Sequence, residues 1–217
     1  KNSKSGQWEE ISWTKLNEMV RNLGMFLIKR GIKPGDKVAL FSPNRYEWWV
    51  ADLAIISVGA VNVPIYATNS AEESRYIIDN SDSRMCFVGT KEHMAKIIKV
   101  KEKLPNLGEI IIFDDSEKPP AGVMTLAEAM KEGSATTNKD EFDKRIKPIN
   151  MDDVATIIYT SGTSGNPKGV MLTLKNFVSN VNQINAVDPE FLSDDHTCLS
   201  FLPLAHSLER TVGYYAA

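Results

Sequence analysis

Val38-Ala39-Leu40-Phe41 is an unbroken apolar run, set between the turn Pro34-Gly35-Asp36 and the break Ser42-Pro43-Asn44. A strand with one wet face alternates apolar and polar residues, so an unbroken run marks a strand covered on both faces, as in a parallel sheet flanked by helices. The surrounding chain supplies those helices. Leu16, Met19, Val20, Leu23, Phe26 and Leu27 follow helical spacing, with Thr14 as the expected cap and Gly31, after Lys29-Arg30, as the expected stop. A second helix is predicted from about Tyr46 to Val58, in which Trp48 and Trp49 read as packing residues because large aromatics dominate core energetics.

The alternation then repeats. Asn62 to Tyr66 reads as a short strand, with Pro64 placing it at a sheet edge or a strand end. Ser70-Ala71-Glu72-Glu73 is a capping-box pattern opening a helix through about Asn80. Met85 to Val88, Glu92 to Leu104 and Glu109 to Phe113 read as strand, helix and strand, and Thr125-Leu126-Ala127-Glu128 repeats the capping box before a helix that can stop at Gly133. Together these elements predict an α/β fold, with largely parallel β-sheet flanked by helices and a ligand site at the carboxyl ends of strands. Between about residues 133 and 152 the composition turns polar and charged, which predicts a connector with a solvated face. Residues 1–150 are thus expected to form a first α/β subdomain, and residues 151–217 the start of a second.

With 217 residues, 42% of them hydrophobic and 24% charged, the chain can bury one substantial core or two small ones. A net charge of −3 argues against a broad nucleic-acid footprint. Cys86 and Cys198 each lie in an apolar stretch, which predicts two buried thiols rather than a disulfide or metal pair. No apolar run approaches the ~18 residues a membrane span needs. The best, Leu53 to Val63, is interrupted by Ser57, Gly59 and Asn62. The start, Lys1 to Gly6, has no hydrophobic signal core, and Tyr214 to Ala217 runs out within small and apolar residues. The expectation is a fragment of a longer, cytoplasmic protein, with peripheral membrane contact and homodimerisation left open.

The chemistry concentrates in Tyr159-Thr160-Ser161-Gly162-Thr163-Ser164-Gly165-Asn166-Pro167-Lys168-Gly169-Val170, which follows the apolar residues Val154, Ala155, Ile157 and Ile158. Gly162 and Gly165 permit backbone conformations in which successive N–H groups converge on an anion. Thr160, Ser161, Thr163 and Ser164 add short hydroxyl donors, and Lys168 a compact cation beside the restraining Pro167. A plain surface turn is the competing reading, but it gains nothing from so many hydroxyls around one lysine. The pattern is not a Walker A loop, because Pro167 precedes the lysine and Gly169 follows it. Val170 to Leu174 is strand-like, so the loop reads as the turn of a strand-loop-strand unit with a helix beginning near Lys175-Asn176.

Tyr159 to Val170 resembles the phosphate-binding signature of the adenylate-forming superfamily, which contains acyl-CoA synthetases, luciferases and the adenylation domains of peptide synthetases. Three further segments resemble its long-chain fatty-acyl-CoA synthetase branch: Ser42 to Trp48, Pro64 to Glu73, and Leu202 to Arg210 with the form Pro-Leu-x-His-x-x-Glu-Arg. The resemblance implies the N-terminal part of that fold and a two-step ligase. ATP and a fatty acid would give an acyl-adenylate and pyrophosphate, and coenzyme A would then displace AMP. It implies that Thr160 contacts Mg²⁺ and that the ring of His206 lines the acyl-binding region. His93 and His196 have no such support and read as structural or surface residues, while Glu209 and Arg210 read as a local ion pair. Family members carry, further along, a Tyr-Gly-x-Thr-Glu segment, a ribose-binding Asp, a hinge and a catalytic Lys, none of which lies in residues 1–217. Two alternatives stay open: another ATP-using enzyme such as a kinase, and a non-catalytic nucleotide- or lipid-binding module.

Overall fold

The apolar run forms β1 (Lys37–Phe41), the middle strand of a sheet which, among the described residues, has seven strands in the order β5-β4-β3-β1-β2-β6-β7. The computed structural model describes residues 8–114, 118–136, 140–160, 165–187 and 197–216. Strands β2 (Val61–Ile65), β3 (Ser83–Val88), β4 (Ile110–Ile112), β5 (Val123–Thr125) and β6 (Val154–Thr160) run parallel to their neighbours, and only β7 (Lys168–Thr173) is antiparallel to β6. Alternation explains the unbroken run: Val38 and Leu40 enter one core, Ala39 and Phe41 the other, and all four are fully buried. Burying a large apolar side chain stabilises by ~1.5–3 kcal/mol, so a strand fed from both faces is a strong nucleus for the sheet.

Helices α1 (Trp13–Lys29) and α2 (Tyr46–Ser57) cover the Val38 face, while α3 (Ala71–Asn80) and α4 (Lys91–Val100) cover the Ala39 face. The capping boxes at Ser70/Glu73 and Thr125/Glu128 both form, the second opening α5 (Leu126–Ser134). Trp48 is fully buried, as a packing residue should be, and Gly31 follows α1 at φ +78°, where glycine stops a helix without strain.

Four local expectations are corrected. The cap of α1 is Ser12, whose hydroxyl accepts from the Lys15 N–H at 3.2 Å; Thr14 lies one residue inside the helix. Gly133 does not end α5, which continues to Ser134; a Cβ there would lie 1.8 Å from the Asn22 carbonyl oxygen, so the glycine exists to let α1 and α5 touch. Of the two placements expected for Pro64, the sheet edge is corrected, because strand β2 is interior, between β1 and β6; the strand end holds, since Pro64 is next to the last residue of β2 and the registered pairing with β6 is at Asn62↔Thr156. Cys86 is buried, with its thiol pushed up by desolvation, but Cys198 is exposed, because among the described residues its apolar stretch has no partner strand to pack on.

Gly133→Ala is expected to destabilise by about 1–3 kcal/mol, since overpacking against backbone outweighs alanine's better helix propensity. Urea denaturation checks it; a midpoint at or above the parent's contradicts the close-contact role.

The polar stretch around residues 133–152 carries α6 (Asp140–Ile146). Its buried Phe142 packs where Gly24 leaves room for the ring, and Asp143 pairs with Arg21 at 2.7 Å. The chain then returns to the sheet through β6, so β6 and β7 extend the sheet that holds β1, followed by α7 (Leu174–Val187).

Candidate phosphate-binding site

The hairpin of β6 and β7 aligns Ile157 with Met171, Ile158 with Val170, Tyr159 with Gly169 and Thr160 with Lys168. Directly opposed residues in an antiparallel pair point to the same face with Cβ atoms ~5 Å apart. Thr160 and Lys168, both exposed, therefore stand side by side at the mouth of the loop. Tyr159 turns to the other face, where it is 7% exposed and belongs to the core beneath α3 and α4. A Cβ on Gly169 would lie 2.6 Å from Ile157 Cγ2 and 3.1 Å from Tyr159 Cζ, so the glycine after the lysine makes room for the tyrosine ring. Gly165 has φ +92°, a conformation other residues resist. Ser161, Gly162, Thr163 and Ser164 lie outside the described residues. β7 follows the loop directly and α7 begins at Leu174, as expected of a strand-loop-strand unit.

The segment around His206 is held by a residue far back in the chain. Asn44, just after β1, donates through Nδ2 to the Leu202 carbonyl at 2.6 Å, and its Oδ1 accepts from the Leu204 N–H at 2.9 Å. The Ser42–Trp48 and Leu202–Arg210 segments are thus in contact. His206 caps the one-turn helix α8 (Ser207–Arg210), its Nδ1 accepting from the Leu208 N–H at 3.2 Å, and it is exposed. Among the described residues no hydrogen bond joins His206 to Thr160 or Lys168. His93 is structural, its ring bonded to Thr90 Oγ1 at 2.6 Å and to the Ala67 carbonyl at 3.0 Å, and burial lowers its pKa. His196 lies outside the described residues.

Glu209 and Arg210 are not an ion pair. Arg210 is fully buried and bonds through Nη2 to Asp52 Oδ1 of α2, also fully buried. Its Nη1 donates to Thr156 Oγ1 of β6 at 2.6 Å and its Nε to the Tyr215 hydroxyl at 3.1 Å. Tyr215, in the π-helical turn after α8, donates to Asp52 Oδ2 at 2.7 Å, and Asn62 Nδ2 donates to Asp52 Oδ1 at 2.5 Å. Burial by itself would lower the Arg210 pKa, but Asp52 and the flanking tyrosines hold it above its ordinary value; burial, then Asp52, pushes Tyr214 upward. Glu209 instead turns its buried carboxylate onto Gly213, with one oxygen lacking a hydrogen-bond partner. Sequence reasoning missed Asp52, Asn62 and Thr156; the available signal was one carboxylate at the centre of the otherwise apolar Trp48–Ile56 stretch.

A family model described as AMP-binding enzyme matches residues 2–217. The chain belongs to the AMP-binding enzyme family. Long-chain-fatty-acid–CoA ligase FadD15 of Mycobacterium bovis is 36% identical over 211 residues, covering 97% of this chain and 34% of its own length. Long-chain-fatty-acid–CoA ligase 5 of Rattus norvegicus is 34% identical over 216 residues, covering 93% and 31%. The crystal structure of a long-chain-fatty-acid-CoA ligase (FadD1) from Archaeoglobus fulgidus superposes with a TM-score of 0.77 at 25% identity, covering 97% of this chain and 39% of that one. ATP-bound MatB from Rhodopseudomonas palustris superposes with a TM-score of 0.76 at 25% identity, covering 96% and 38%. The chain spans about a third of the length of the curated relatives it matches.

Among the described residues the hairpin mouth of this AMP-binding family member brings together one hydroxyl, Thr160, and one ammonium, Lys168. Among the described residues no group of three or more His, Cys, Asp or Glu is arranged to hold a metal. A single oxygen such as Thr160 Oγ1 fits Mg²⁺, which favours waters and substrate phosphates over an all-protein cage. Among the described residues no helix is long and apolar enough to cross a membrane.

Proposed function

We propose that the polypeptide carrying this segment activates a fatty acid with ATP and transfers the acyl group to coenzyme A. The observation that carries this reading is Thr160 opposite Lys168 at the mouth of a glycine-rich hairpin in a chain of the AMP-binding family. The names of its ligase relatives supply the substrate class.

A carboxylate is a poor electrophile until one of its oxygens becomes part of a good leaving group. Its oxygen attacks the α-phosphorus of ATP, the bond to the bridging oxygen breaks, and pyrophosphate leaves with the bonding electrons. Charge grows on that pyrophosphate, and the Lys168 ammonium, the Thr160 hydroxyl and the donors of Ser161 to Gly165 are the groups that hold it. Thr160 would help to hold Mg²⁺, which would supply further charge neutralisation when bound. The coenzyme A thiol, as thiolate, then attacks the acyl carbonyl and AMP departs. His206, capping α8, is the residue we assign to the acyl side of the reaction.

Residues 1–217 by themselves are expected to show no ligase activity, because the adenine- and ribose-binding segments and the catalytic lysine of the family are absent from them. The test is ATP–pyrophosphate exchange by the complete polypeptide across acids from acetate to palmitate, with exchange expected for fatty acids and none for the isolated segment. Release of ADP would instead assign another class of ATP-using enzyme. No exchange with any acid would leave a binding module.

A further inference from the structure

Resting on that reading, we infer that helix α3 sets the spacing of Thr160 and Lys168, with Tyr76 and Asn80 as positioning residues for the pyrophosphate grip. Tyr76 and Asn80 are four residues apart and so share one face of α3. Tyr76 donates its hydroxyl to the Pro167 carbonyl at 3.1 Å, and Asn80 Oδ1 accepts from the Tyr159 hydroxyl at 2.7 Å. Pro167 immediately precedes Lys168, and Tyr159 immediately precedes Thr160. One turn of one helix therefore holds both stems of the loop. The two tyrosine rings also meet edge to face, with centroids 6.3 Å apart at 86°.

The hairpin needs this outside support. Among the described residues β7 ends the strand order and pairs only with β6, and Lys168 to Met171 are exposed, so packing does little to place it. α3 is anchored by its capping box and by Ile77 and Ile78, which are 3% and 1% exposed. The proline ring fixes φ of Pro167, leaving ψ as the soft angle that orients the planar Pro167–Lys168 peptide. The Tyr76 bond to that peptide's carbonyl removes this freedom, and with it one way for Lys168 to swing from Thr160.

The test uses the complete polypeptide and Tyr76→Phe, which keeps the half-buried ring and deletes only the hydroxyl. Inorganic pyrophosphate titrated calorimetrically into both forms is expected to bind about fivefold more weakly to the variant, the scale of one neutral hydrogen bond. In the exchange assay KM for ATP should rise by a similar factor, with KM for the fatty acid, inhibition by AMP and the melting temperature unchanged. Equal pyrophosphate affinity in the two forms overturns the inference, as does a parallel shift of every constant together with the melting temperature. Wild-type protein that binds pyrophosphate but exchanges with no acid refutes the ligase reading and leaves the calorimetric comparison to decide the role of α3.

Discussion

Asp52→Ala is expected to lower stability by about 3–5 kcal/mol, because it strands a fully buried guanidinium without its counter-charge. Arg210 has no exposed surface, and three rings lie over its guanidinium: Trp48 at 5.4 Å, and Phe177 and Tyr215 at 5.5 Å. Those rings, with Thr156 and Tyr215, cannot replace the neutralising carboxylate. The cost comes from the orphaned charge and not from the net worth of the pair, so Asp52→Leu combined with Arg210→Met should recover much of the loss. Urea denaturation followed by tryptophan fluorescence separates the cases. A single-variant cost under about 1 kcal/mol, the size of a surface pair, would show that the pair is not buried in solution. A double variant as unstable as the single would show that the hydrogen bonds to Thr156 and Tyr215 matter more than the charge.

Lys168→Met is expected to slow ATP–pyrophosphate exchange by the complete polypeptide about 10²- to 10³-fold, the usual consequence of removing one preorganised donor from a developing oxyanion. Methionine keeps an unbranched apolar stem, and the position is exposed, so the melting temperature should not move. Lys168→Arg should recover the exchange only in part, since a planar fork does not track phosphate oxygens as a compact ammonium does. Initial rates at saturating fatty acid with ATP varied check both variants. A rate within threefold of wild type for Lys168→Met would remove the lysine from the grip, and a matching fall in melting temperature would reassign it to folding.

The strand-loop-strand unit was legible because its signals are local: glycines, hydroxyls and one lysine between two strand-like runs. The opposition of Thr160 and Lys168 was not, since register depends on where the hairpin closes. The Glu209–Arg210 ion pair was misread for a related reason. Sequence neighbours of opposite sign suggest each other, whereas Arg210 points into the core and meets Asp52 across 158 positions. Cys198 shows the same limit, since its apolar neighbours implied a strand, whereas among the described residues no partner strand covers it and it is exposed.

By itself the sequence determined the parallel α/β sheet, through the apolar run of β1 and the two capping boxes, because period and caps are written in residues within a few positions of each other. It also determined the family, through the resemblance carried by Tyr159 to Val170 and three further motifs. Only the tertiary structure decided that Gly133 lets α1 and α5 touch, that Asp52 neutralises Arg210, and that α3 bonds both stems of the glycine-rich loop. Those are contacts between elements distant in the chain, and they follow from the order in which strands join the sheet, which no local pattern encodes.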